Sequence, residues 1–132
     1  MIGLDTNILV RLLVMDDPVQ TAQAQQFVDS RCTRASPGYV NSMVLAELIW
    51  ALSSIYHYDR AAIISVVEGL LAGDDRIVEH HEAVQGGLED YRSGRADLVD
   101  AIIVRINRAR NCTATATFDR KASRLEGAIR VS

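Results

Sequence analysis

The chain has 132 residues, 48% hydrophobic and 23% charged, with a net charge of −3. That length suits one domain, able to bury roughly two-thirds of the surface its unfolded form exposes, and the composition excludes disorder. The negative balance excludes a protein that coats nucleic acid by bulk attraction. The two cysteines, Cys32 and Cys112, lie too far apart for a CxxC pair, which argues against a structural zinc site or a redox pair. No apolar run is long enough to span a bilayer, and Asp5 interrupts an opening run that no basic segment precedes. A cytoplasmic protein with reduced thiols is the expectation.

In chain order, Ile2 to Leu4 reads as a short buried strand and Asn7 to Val14 as a first helix, with Asp5 held at the junction. Met15-Asp16-Asp17-Pro18 breaks that helix and starts the next: the acids suit an N-cap, and Pro18 a first helical position. Val19, Ala22, Ala24, Phe27 and Val28 then approximate helical spacing as far as Arg31. After the turn Ser36-Pro37-Gly38, Tyr39-Val40 reads as a second strand, and Ser42 can cap a helix from about Met43 to Ile55. Asp59 opens a further helix that Gly73 closes. Arg76-Ile77-Val78 suits a third strand and His81 to Tyr91 a helix, weakened by Gly86-Gly87, since each glycine costs up to about 1 kcal/mol relative to alanine. Beyond the loop at Ser93-Gly94, Asp97 begins a helix from Leu98 to Arg110. Thr113 to Phe118 reads as a fourth strand, Arg120 to Leu125 as a helical turn, and Ala128 to Val131 as a last strand. Strands alternating with helices predict a parallel α/β sheet with helices on both faces.

Four acids stand out. Asp5 and Asp119 follow apolar strands, and the carboxyl ends of strands are where ligands collect in open α/β sheets. Glu47 is the single charge in its helix, so it either faces a polar cavity or occupies the one exposed stripe. Asp97 and Asp100 stand at i and i+3 at a helix N-terminus, where the helix dipole alone accounts for one acid but less well for Asp100 among apolar neighbours. With no Cys or His beside them, oxygen-only donors of this kind suit Mg²⁺ or Mn²⁺ rather than zinc, and converging carboxylates call for a cation or shared protons. Such sites serve phosphoryl chemistry, in which one or two ions activate a water for in-line displacement at phosphorus. No nucleophile elbow surrounds His57, His80 or His81, and no phosphate-binding glycine-rich loop precedes a helix.

LDTNILVRLL around Asp5, VLAELIWAL around Glu47, ADLVDAII around Asp100 and TATFDRKASRL around Asp119 resemble, in order and spacing, the PIN-domain ribonucleases, and among them the VapC-type toxins of bacterial toxin–antitoxin pairs. The similarity covers nearly the whole chain. It implies a single PIN-like domain over residues 1–132, a three-layer α/β/α fold with a central, mostly parallel sheet of four to five strands. It also implies a Mg²⁺- or Mn²⁺-dependent endoribonuclease cleaving structured RNA such as tRNA or rRNA, a homodimer, and inhibition by a cognate VapB-type antitoxin. Carried over by residue, Asp5, Glu47 and Asp100 match the core metal-binding acids, Asp119 a fourth and Asp97 a companion, while Asn7 and Thr117 match polar residues that orient the site. The alternative is a catalytically weak PIN-fold RNA- or protein-binding module.

Charge is unevenly spread. Residues 1–100 hold fifteen acids against seven arginines, a net −8, whereas residues 101–132 hold seven basic residues against two acids, a net +5. Arg105, Arg108, Arg120, Lys121 and Arg124 are therefore candidates to grip RNA phosphates, although a basic helix face is also ordinary solvated surface.

Overall fold

The computed structural model describes all residues, Met1–Ser132, as two compact units, Met1–Glu79 and His80–Ser132. In the first unit the elements run β1 (Ile2–Gly3), α1 (Thr6–Val14), α2 (Pro18–Arg31), β2 (Gly38–Val40), α3 (Ser42–Ser54), α4 (Arg60–Ala72) and β3 (Arg76–Val78). The second unit runs α5 (His81–Arg92), α6 (Leu98–Ala109), β4 (Thr115–Thr117), a 3₁₀ turn (Ala122–Arg124) and β5 (Ala128–Arg130). Six helices and wholly parallel strands are the α/β class expected. No helix is long and apolar enough to cross a membrane.

The five strands form a three-stranded sheet, β1-β2-β3, and a two-stranded one, β4-β5, rather than the one sheet of four to five strands expected. Each strand is two or three residues long, so few ladder bonds set each pairing, and which strands adjoin is decided by tertiary packing. In the first unit the ladder extends past the strand ends, with Leu4 N–H donating to Tyr39 O at 2.9 Å and Glu79 N–H to Val40 O at 2.9 Å. The parallel crossovers place the helices between successive strands.

Polar caps set the helix starts. Asp5 caps α1, Asp17 caps α2 with Pro18 behind it, and Asp59 caps α4. The cap of α3 is Asn41, whose Oδ1 accepts from Val44 N–H at 2.9 Å, not Ser42, which is already helical. Two cap-forming residues in succession leave the frame open by one residue, and the amide side chain takes the bond. Met15 ends α1 in the left-handed region with φ 59°.

Buried apolar side chains fill the first unit from α1 (Leu9, Val10), β2 (Val40), α3 (Leu45, Leu48, Leu52), α4 (Ile63, Val67, Leu70) and β3 (Val78). In the second unit Ala96, Ala101, Val104 and Leu125 form a buried cluster with Ala128 packed against it. The Gly86-Gly87 pair is what lets α5 and α6 approach. A Cβ on Gly87 would meet Ile102 Cγ1 at 2.8 Å and Ile102 N at 3.0 Å, and one on Gly86 would meet the Arg105 guanidinium at 2.9 Å. The glycines that weaken α5 as an isolated helix are therefore required by its packing.

Candidate functional site

In the first unit, α1 and α3 both spring from the carboxyl ends of neighbouring parallel strands, β1 and β2. That topology brings Asp5 and Glu47, 42 residues apart in sequence, to one cavity of about 380 Å³. Asn7, Arg11, Trp50, Ile55 and Tyr56 line it with them. Asp5 is exposed, and its Oδ1 accepts from Thr6 N–H at 2.8 Å, which orients the carboxylate while leaving its second oxygen for a ligand. Glu47 lies on the exposed face of α3 that Met43 and Trp50 share, so it both occupies the exposed stripe and lines a cavity with polar walls. Asn7 is exposed and also borders a second cavity between α1 and α2. The Arg11 guanidinium is tethered to Asp16 at 2.7 Å and Gln20 at 2.8 Å.

In the second unit Asp97, Asp100 and Asp119 are electrostatic neighbours. Burial raises the Asp100 carboxyl above its ordinary value, and the charges of Asp119 and Asp97 push it the same way. Asp97 precedes α6 without capping it through its side chain, and its carboxylate lies 3.8 Å from Lys121 Nζ on the surface. Asp119 Oδ1 accepts from Ala122 N–H at 2.7 Å, while Thr117 Oγ1 accepts from Asp119 N–H at 3.0 Å. Thr117 thus shapes the turn that presents Asp119.

No three Asp, Glu, His or Cys side chains are gathered closely enough to hold a metal ion. The donor chemistry nonetheless fits a hard divalent cation: the groups are carboxylates alone, and a cation would offset both the burial of Asp100 and the neighbouring charges of Asp119 and Asp97.

The basic candidates divide. Arg105 donates from Nε and Nη2 to the two carboxylate oxygens of Asp90, both at 3.0 Å, and Asp90 is only 6% exposed. The hydrogen bonds to Asp90 raise the Arg105 pKa, so its charge is committed to a largely buried pair. Arg108 meets Glu126 at 3.0 Å on the surface. Arg120, Lys121 and Arg124 are exposed.

Two residues were not among the candidates from sequence: Trp50, apolar yet 59% exposed, and Asp90, the buried partner of Arg105. The position of Trp50 at i+3 from Glu47 was the available signal, because that spacing puts both on one helix face. No curated protein matches the chain. The model of the PIN domain matches residues 2–128, and on that match the chain belongs to the PIN domain family.

Proposed function

We propose that the chain is one PIN-type domain acting as a Mg²⁺- or Mn²⁺-dependent endoribonuclease of VapC type, a cytoplasmic, dimeric toxin held in check by a VapB-type antitoxin. PIN domains are generally metal-dependent nucleases. The observation that carries the reading is the cavity in which α1 and α3 present Asp5 and Glu47 together beside Asn7.

The acids proposed as metal-binding residues are, in the first unit, Asp5 and Glu47 and, in the second, Asp100, Asp119 and Asp97. When bound, a divalent cation supplies charge neutralisation at the phosphate and lowers the pKa of a water. The chain's own part is positioning. Thr6 N–H fixes the direction of the Asp5 carboxylate. Ala122 N–H fixes that of Asp119, and the Thr117 hydroxyl, accepting from Asp119 N–H, shapes the turn that carries it. Arg108, Arg120, Lys121 and Arg124 are proposed to contact RNA phosphates, giving affinity without sequence choice.

A second reading, a PIN-fold module that binds RNA or protein with little catalysis, is favoured by one observation: no three metal-grade side chains are gathered. Incubating purified protein with folded tRNA or rRNA, with and without Mg²⁺ or Mn²⁺, separates the two. The nuclease reading expects cation-dependent cleavage leaving 5′-phosphates, and binding without cleavage supports the module.

A further inference from the structure

Trp50 is the chain's single tryptophan and sits on α3 with 59% of its surface exposed. Large apolar side chains are exposed elsewhere too, Met43 and Phe118 among them, so what sets Trp50 apart from these is that it lines a cavity. Its surroundings narrow which ligand. Trp50 shares one cavity with Ile55 and Tyr56 on the apolar side and Asp5, Asn7 and Glu47 on the polar side. At about 380 Å³ the cavity lies near the lower end of ligand pockets and is large enough for one flat group. Two carboxylates outweigh the one guanidinium, Arg11, which is already tethered to Asp16 and Gln20, and so disfavour an anion in the pocket itself, whereas a nucleobase is uncharged. Its amino groups can donate to the Asn7 side-chain carbonyl while its face stacks on indole.

We propose that Trp50 is a stacking platform for one unpaired nucleobase next to the scissile phosphate, with Ile55 and Tyr56 closing the pocket and Trp50 acting as a positioning residue. The platform rests on the reading of Asp5 and Glu47 as nuclease residues and adds to it the residue that positions the substrate. A base locked in a duplex has no free face to offer.

The test uses Trp50 as its own probe. Asp5→Asn protein, which keeps the indole, is titrated with a short single-stranded RNA and with the same RNA in duplex form in Mg²⁺, while tryptophan fluorescence is followed. The platform requires quenching by the single strand and not by the duplex. In parallel, Trp50→Leu should raise KM for RNA cleavage roughly 5- to 150-fold with a smaller change in kcat, and Trp50→Phe should restore most of the loss. Exposure of Trp50 makes both variants foldable, and circular dichroism checks it. Equal quenching by duplex, absence of quenching, or an unchanged KM in Trp50→Leu overturns the platform. If wild type cleaves RNA while Trp50→Leu behaves identically, the platform falls and the nuclease reading stands. Should wild type cleave nothing while single strands still quench Trp50, the nuclease reading falls and base stacking survives. A fluorescence shift that follows protein concentration without RNA identifies a contact between copies and also overturns the proposal.

Discussion

Arg105 offers the sharpest contest between two roles, because it belongs to the basic C-terminal third and yet forms a bidentate pair with Asp90. Arg105→Met keeps much of the side chain's length and apolar stem but leaves the Asp90 carboxylate, 8% exposed, without its principal partner. Removing one partner of a buried pair costs about 3–5 kcal/mol, since the remaining charge has lost both water and counterion. Arg95 lies 3.7 Å from Asp90 Oδ1 but is 61% exposed, so it compensates weakly, and the lower end, about 3 kcal/mol, is expected. For a chain of this length that is a fall in Tm of about 10 °C. Asp90→Asn should cost less, about 1–2 kcal/mol, because the one-third-exposed guanidinium it abandons can be rehydrated. Thermal melts of both variants, alongside RNA binding at a temperature where both remain folded, decide the matter. A stable Arg105→Met protein that has lost RNA affinity would refute the structural assignment.

Gly87→Ala and Gly69→Ala form a matched pair of opposite sign. The first forces a methyl into Ile102 backbone and should destabilise by about 2 kcal/mol net of the helix-propensity gain, whereas the second, with nothing within 4 Å of the added carbon, should stabilise by about 1 kcal/mol in urea titrations. Asp100→Asn tests the raised carboxyl. Ionising Asp100 is harder in the folded chain, so its destabilisation is absent well below the unfolded value of 3.8, develops as pH climbs through the raised folded value, and persists above it. The variant should therefore match wild type in acid and exceed it near neutral pH in metal-free buffer; a constant difference across pH would contradict this. Replacing Arg120 and Lys121 together by alanine should weaken RNA binding and reduce the salt slope by about 2, and an unaltered slope removes them from the RNA contact.

Local signals carried much of the structure. Each of Asp5, Asp17 and Asp59 is a short acid ahead of an apolar-periodic run, and each caps the helix that the pattern placed there. Asp5 and Glu47 are legible among the five candidate acids because acids are rare in such apolar surroundings; that the two line one cavity follows from parallel βα units, which carry both helix starts to the same sheet edge. Other features depend on contacts that no local pattern encodes. Gly86-Gly87 reads as helix weakness until Ile102 and Arg105 are seen against it. Arg105 looks like one cation of a basic face until Asp90 is found beneath it, and Trp50 looks like core until the pocket beside Glu47 is formed. The division of five strands into two sheets is of the same kind, since strands of two or three residues do not specify their neighbours.

The account turns on whether Asp5 serves a cation-dependent cleavage. Asp5→Asn preserves size and a side-chain oxygen that can still accept from Thr6 N–H, so the fold should survive while the ligand charge is lost. Wild type and Asp5→Asn are compared for cleavage of RNA in Mg²⁺, in Mn²⁺ and in EDTA, with product ends identified. Cleavage by wild type that needs the cation, leaves 5′-phosphates and falls at least about 100-fold in the variant is the expected result. Cleavage that persists in EDTA, or an equally active Asp5→Asn protein, would contradict it.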